Sequence, residues 1–242
     1  MLTEPLYQGL QDLGLRGMAR TFSAQEKGTS QDLSFAERLA LLIDAEQSER
    51  RNYRYAQRLR WAKFGQSASL EDIDSRTPRG LDRATVTQLS TLAFIADKLI
   101  VLITGPTGVG KSYLACALGQ HACRENISVR YLRLPRLVDE LVRADALKKK
   151  SQLFKHLAKF QLLILDDFGL TPLADEIKRD LLEIIDDRFD KTATLVTSQL
   201  PVSKWHEYPA EPTLADAILD RIVHNAYKIE LKGESMRKKK AT

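Results

Sequence analysis

One segment of the chain has residue types and spacing that specify phosphate chemistry. It reads Gly105-Pro106-Thr107-Gly108-Val109-Gly110-Lys111-Ser112, followed by Tyr113. The pattern G-x-x-x-x-G-K-S puts glycines where a backbone must wrap phosphate oxygens closely, with its N–H groups turned inward. Lys111 is placed to reach the β- and γ-phosphates of a nucleotide, and Ser112 to ligate Mg2+. A helix expected to start near Lys111 adds the partial positive charge of its N-terminus. Residues 105–113 are therefore the expected contacts to ATP.

A second segment, LLILDDFG (162–169), ends a four-residue apolar run with two carboxylates. Asp166 is the expected holder of the magnesium, directly or through water. Asp167 is the expected base or orienter of an attacking water, and a second acid argues for hydrolysis beyond binding. The plainer reading is an Asp pair opening the turn before Gly169. A third run ends in Thr197-Ser198-Gln199. Ser198 and Gln199 are candidates to hydrogen-bond the attacking water, or else ordinary turn residues before Pro201. Arg221 lies in a helical segment starting near Thr213 and is a candidate arginine finger reaching a neighbour's γ-phosphate. On an unremarkable helix it would be a surface residue.

These groups need a sheet to position them. Residues 99–104 (LIVLIT) form a continuous apolar run, as in a strand buried on both faces. Segments 129–134, 162–165 and 194–197 read the same way, and 227–231 alternates like an edge strand. Helical patterns separate them; in the clearest, Ile177, Leu181, Ile184 and Ile185 recur at helical spacing. Strand and helix in repetition predict an α/β fold with a parallel sheet flanked by helices. No strand is expected before Leu81. A short helix is expected to carry Leu6, Leu10, Leu13 and Leu15 and to end around Gly14 to Gly17, and a second starts at Ser34, where Ser34 and Glu37 fit a capping box, and runs to about Phe64. The expected plan is a small all-α N-terminal domain at 1–64, a linker at 65–82 rich in Gly, Ser and Asp, and an ATPase domain at 83–242.

Composition narrows the class. The chain has 242 residues, 43% of them hydrophobic and 29% charged, which suits a folded core and argues against global disorder. Lys and Arg number 37 against 32 Asp and Glu, a net +5, which mildly favours an acidic partner. Cys116 and Cys123 stand seven apart on an expected helix, too far for a disulfide, and read as small core residues. Four scattered His give no zinc spacing. No basic start with an apolar run opens the chain, and no run approaches the roughly 20 residues of a membrane span. A soluble, cytoplasmic, bacterial protein is expected, with no membrane partner.

The order GPTGVGKS, LLILDDFG, TSQLP, ADAILDRI, GESMRKK resembles the AAA+ P-loop NTPases of the helicase-loader branch. It is most similar to the IstB-like family, the ATPase helpers of insertion-sequence transposases, with the DnaC helicase loaders more distant. The likeness spans nearly the whole chain and is densest in PTLADAILDRIVHNAYKIELKGESMRKK. It implies an AAA+ core, Arg221 as arginine finger, Arg237 as a second nucleotide sensor, and a homo-oligomer with ATP sites between subunits. It implies assembly on duplex DNA in the ATP state, help to a transposase in engaging its target, and release on hydrolysis. Few residues follow Arg237, so the separate C-terminal lid of AAA+ proteins is not expected. The second acid is Asp where Glu is commoner; it is one methylene shorter, and slow hydrolysis is expected.

The residues offer their own support for DNA. In 49–64, ERRNYRYAQRLRWAKF, the residues Arg50, Arg51, Arg54 and Arg58 fall within a helical arc of roughly 100° that includes Trp61, while Ala56 and Leu59 point away. Each phosphate such a face neutralises releases counterions. A solvated face paired with Glu46 and Glu49, or an interface to a transposase or another subunit, are the alternatives. A second cluster is Lys148, Lys149 and Lys150, otherwise a solvated helix end. Nothing reads base edges, so contact is expected to be backbone-driven and largely sequence-independent. Other functions compatible with the motifs are a replicative helicase loader, a P-loop small-molecule kinase, and a nucleotide-gated scaffold that barely hydrolyses ATP.

Overall fold

The computed structural model describes residues 3–28, 32–75, 77, 79–169, 173–202, 205, 212–223 and 226–236, with backbone alone at 212–216. The chain divides into two compact units, Met1–Gln57 and Arg58–Thr242.

The first unit is helical. It holds α1 (Thr3–Asp12), α2 (Arg16–Lys27) and most of α3 (Phe35–Ala62). The capping box opens α3: the Ser34 N–H donates to Glu37 at 2.8 Å and the Glu37 N–H donates to Ser34 Oγ at 3.3 Å. Helix α2 was not expected from the periodicity, because what holds it lies far away in sequence. Glu46 of α3 accepts from the Gly17 N–H at 2.8 Å and the Met18 N–H at 3.3 Å, capping the free N-terminus of α2. Gly17, which reads as a breaker, permits the contact: a Cβ there would lie 2.6 Å from the Ala45 carbonyl oxygen.

The second unit is an α/β layer structure. Five strands, β1 (Ile100–Thr104), β2 (Val129–Arg133), β3 (Leu162–Phe168), β4 (Ala193–Ser198) and β5 (Ala226–Glu230), form a parallel sheet in the order β2-β3-β4-β1-β5. The alternation along β3 shows why helices cover both faces. Leu163 and Leu165 enter the core with Leu137, Leu141, Leu181 and Ile184 of α7 (Leu134–Ala146) and α9 (Asp175–Arg188). Ile164 faces the other way, so close to α6 (Lys111–Arg124) that a Cβ on Gly119 would lie 2.8 Å from it. Strands buried on both faces have no polar side, which is why they read as unbroken apolar runs.

The remaining helices are α4 (Arg83–Ser90), α5 (Ala93–Ala96), α8 (Lys150–Ala158) and α10 (Pro212–Val223). Cys116 and Cys123 are buried on α6. Among its described residues the 65–82 segment has neither helix nor strand, and α4 begins directly after it. Among the described residues no helix is long and apolar enough to cross a membrane.

Candidate nucleotide-binding site

The strand order explains how the motifs meet. In β3-β4-β1, the carboxyl end of β4 lies between the phosphate loop after β1 and the acid pair of β3. Open parallel sheets bind ligands at such carboxyl ends. Here they open on a cleft of about 630 Å³, lined by Thr107, Gly108, Gly110, Lys111, Ser112, Tyr113, Asp166, Asp167 and Gln199. Val109 is fully buried beneath the loop. The loop glycines hold left-handed backbone, with φ of 142° at Gly105, 85° at Gly108 and 100° at Gly110.

Lys111 is buried, and its ammonium donates to the carbonyls of Gly105 at 2.7 Å and Pro106 at 2.8 Å. Burial lowers its pKa, and the nearby charges of Asp166 and Asp167 oppose that shift. Ser112 donates its hydroxyl to Asp166 Oδ1 at 2.9 Å. Asp166 is buried and also accepts from Tyr131 at 2.6 Å and from the Thr197 hydroxyl. Three O–H dipoles converging on one carboxylate mark a place built around a negative charge. The hard oxygens of Ser112 and Asp166, side by side on the cleft, suit Mg2+, which takes one or two protein oxygens and completes its shell from phosphates and water. Among the described residues there is no cluster of three or more His, Cys, Asp or Glu placed to hold a metal by itself.

Asp167 differs from its neighbour. The β3–β4 register is irregular between Leu165 and Phe168, and Asp167 has a φ of 61°. That bulge turns its carboxylate onto the cleft. There it meets Arg133 at the end of β2, with Nη2 at 2.7 Å and Nε at 2.8 Å from Asp167 Oδ2. The hydrogen bond and the charge of Asp167 raise the Arg133 pKa. The Asp167 N–H donates to Thr197 Oγ1 at 3.2 Å. Gln199 accepts from Thr107 Oγ1 at 2.6 Å, bridging β4 to the phosphate loop.

Several expected residues stand elsewhere. Ser198 does not face the cleft: it is fully buried, donates to the Phe168 carbonyl at 2.8 Å and accepts from the Leu200 N–H at 3.1 Å. Strand alternation puts Thr197 and Gln199 on the cleft side and Ser198 on the other. Arg221, expected to reach a neighbour's nucleotide and not its own, lies outside its own chain's cleft, ion-paired with Asp186 of α9 and donating to the Ala217 carbonyl at 3.1 Å. Arg237 lies outside the described residues; Met236, just before it, lines the cleft.

The basic candidates divide as well. Arg50 pairs with Glu46 at 2.7 Å, Arg51 donates to Ser48 Oγ at 2.7 Å, and Arg54 is exposed. Arg58 leaves the expected arc: it is half-buried, with Nη1 buried and unpartnered, and its charge acts on Cys123. Ala56, expected to point away from the basic arc, is exposed as well. Lys150 is also corrected. Its ammonium meets Asp145, Glu176 and Asp180 at 3.0, 3.1 and 3.0 Å, so it ties α8 to α7 and α9. Lys148 and Lys149 remain exposed.

Sequence reasoning missed Arg79, Tyr131 and Arg133, and it named the run with Thr197 without foreseeing that Thr197 bonds Asp166 and Asp167. Tyr131, Arg133 and Thr197 sit on strands beside known motif residues, so strand pairing would have pointed to them. Nothing local marks Arg79, which lines the cleft from the 65–82 segment together with Gln66, Ile73 and Asp74.

Comparison with known proteins agrees with this geometry. The model of the family described as IstB-like ATP binding protein matches residues 8–242. A Sinorhizobium fredii protein named as an insertion sequence ATP-binding protein, y4pL, is 49% identical over 239 residues, covering 98% of each chain. The one named for IS1162 in Pseudomonas fluorescens is 43% identical over 205 residues, covering 84% of this chain and 89% of that one. Among solved structures, DnaI aligns with a TM-score of 0.58 and 26% identity over 69% of this chain and 89% of its own. The DnaC helicase loader shares the fold, with a TM-score of 0.57 and 18% identity over 68% of this chain and 97% of its own. A phosphate loop, an acid pair and a β2-β3-β4-β1-β5 sheet in a chain so matched make it a member of the IstB-like family, the insertion-sequence ATP-binding proteins of AAA+ fold.

Proposed function

We propose that the protein is a magnesium-dependent ATPase that assembles on duplex DNA in its ATP state, helps an insertion-sequence transposase engage its target, and leaves the DNA when ATP is hydrolysed. The observation that carries the reading is the convergence of Lys111, Ser112, Asp166 and Asp167 on one cleft. Lys111 turns from the loop carbonyls to the β- and γ-phosphates. Ser112 and Asp166 hold Mg2+, which neutralises phosphate charge when bound. Asp167 orients or deprotonates the attacking water, and Gln199 is close enough to the loop to steady it. Arg221 completes the site of a neighbouring subunit, a head-to-tail arrangement that closes into rings or extends as filaments. Its position off its own cleft favours that role. Arg237 is proposed as the second sensor. Arg50, Arg51, Arg54, Lys148 and Lys149 are the proposed phosphate contacts to DNA. The family's insertion-sequence context supports the transposase as partner, in the bacterial cytoplasm.

The test is to image the protein with duplex DNA, Mg2+ and a non-hydrolysable ATP analogue. Oligomers on DNA that vanish with ADP are expected; free monomers under both conditions would overturn the assembly. The likeness to DnaI and DnaC favours one second reading, a helicase loader. Retention of a replicative helicase but not of the element's transposase in a pull-down would select it.

A further inference from the structure

A phosphate loop binds anions only while its N–H groups face the ligand, which requires its carbonyls to face away and find partners. Five of those carbonyls have identified donors, that of Gly110 taking the Leu114 N–H at 2.9 Å as α6 begins. Lys111 serves Gly105 and Pro106 at 2.7 and 2.8 Å. The Met236 N–H serves Gly108 at 2.9 Å. Arg79 Nη1 serves Val109 at 2.6 Å. A phosphate competes for Lys111. The hold by Met236 and Arg79 is independent of the ligand, and only Arg79 exerts it through a side chain.

Arg79 is only 7% exposed, and it ties together three segments. Its Nη2 donates to the Asp74 carbonyl at 3.0 Å, in the turn that brings Ile73 and Asp74 to the cleft. Its own carbonyl accepts from the Lys232 N–H at 2.8 Å, where the chain leaves β5. Gly110 lets the guanidinium close on the loop: a Cβ there would lie 2.7 Å from Arg79 Nη1. Nε is buried with no hydrogen-bond partner. Burying a guanidinium with one N–H unmet is costly, so packing alone does not account for an arginine at this place.

We propose that Arg79 is a positioning residue for the nucleotide: it holds the Val109 carbonyl outward, keeps the loop's N–H groups facing the cleft, and links loop geometry to Ile73 and Asp74 on the same cleft. It acts through the loop and touches no reacting atom. The proposal rests on the nucleotide reading of the cleft.

The test titrates wild type, Arg79→Ala and Arg79→Lys with fluorescent ADP and a fluorescent non-hydrolysable ATP analogue, and follows hydrogen exchange of peptides covering 105–113 without nucleotide. Arg79→Ala is expected to raise Kd for both nucleotides roughly tenfold or more, the loss of a charged hydrogen bond, and to speed exchange in 105–113. Arg79→Lys regains part of the affinity, since an ammonium can reach one carbonyl but not span two. KM for ATP rises by more than kcat falls. Affinity and loop exchange within twofold of wild type in Arg79→Ala would overturn the proposal. So would faster exchange spread evenly over β1, β3 and β4, the mark of a merely structural role. A wild type that binds neither nucleotide sinks the nucleotide reading itself, and the exchange arm then still decides whether Arg79 holds the loop.

Discussion

Asp167 and Arg133 show at the residue scale how one ion pair can set a resting rate. The carboxylate proposed to orient the water is held by a guanidinium at 2.7 Å, and the Arg133 side chain is 58% exposed. A partly exposed pair of this kind contributes up to about 1 kcal/mol, screened by solvent. Removing Arg133 should therefore free the acid modestly: Arg133→Ala is expected to raise basal ATP turnover about two- to fivefold. Asp167→Asn keeps the shape but loses the base, and should lower kcat about a hundredfold with little change in nucleotide affinity. Steady-state phosphate release, with binding measured in parallel, checks both. Equal turnover in Asp167→Asn and wild type would remove Asp167 from the chemistry. An unchanged or lower basal rate in Arg133→Ala would show that Arg133 does not restrain it.

At the scale of elements, buried groups lock helices to the sheet. Arg188 at the end of α9 is 2% exposed; it donates to the Leu157, Phe160 and Ala193 carbonyls and to Thr194 Oγ1. Burial pushes its pKa down to about 10, yet it stays charged at neutral pH. Arg188→Leu would leave those oxygens unmet and is expected to cost about 3–5 kcal/mol, read as a lower urea midpoint. A midpoint shift below a third of that would mean water replaces the arginine. Helix α6 carries a second marker. Burial pushes the Cys116 thiol up to about 11 and the Cys123 thiol to about 12. Because the folded values lie above the unfolded thiol value of about 8.5, the folded state holds more protons there. The thiols' contribution to stability is complete below that pH and fades as pH rises toward the folded values. Neither thiol should react with iodoacetamide at pH 8 until the protein unfolds; rapid labelling of the native protein would contradict the buried α6.

At the scale of the whole molecule, the proposed assembly rests on Arg221. Within one chain its guanidinium is paired with Asp186, away from its own nucleotide cleft. The proposed finger would act on a neighbour's nucleotide, so its loss would separate binding from turnover. Arg221→Ala is expected to leave nucleotide affinity within twofold of wild type while DNA-dependent hydrolysis falls about a thousandfold. Hydrolysis and assembly that both survive the substitution would end the finger role. The tethered Lys150 also bears on DNA contact: its three carboxylates withdraw it, leaving Lys148 and Lys149 as the exposed part of that run.

The sequence by itself determined the parts whose signals are local. A buried parallel strand must be apolar throughout, a phosphate loop needs its glycines and lysine in fixed order, and a capping box needs Ser34 three residues before Glu37. Hence the sheet, the P-loop, the acid pair and the start of α3 were legible. Tertiary structure decided whatever depends on partners distant in the chain. Helix α2 exists where Glu46 caps it from 29 residues away. Ser198 turned inward and Thr197 toward the acids because of strand phase, which a three-residue run does not reveal. Arg58 and Lys150, equal to their neighbours as letters, were withdrawn by burial and by carboxylates on other helices. Arg79 looked like one residue of a polar connector, and only the fold brought its guanidinium to the carbonyl of Val109, 30 positions on. Side-chain charge is written in the sequence, but what that charge meets is fixed by the packing of elements.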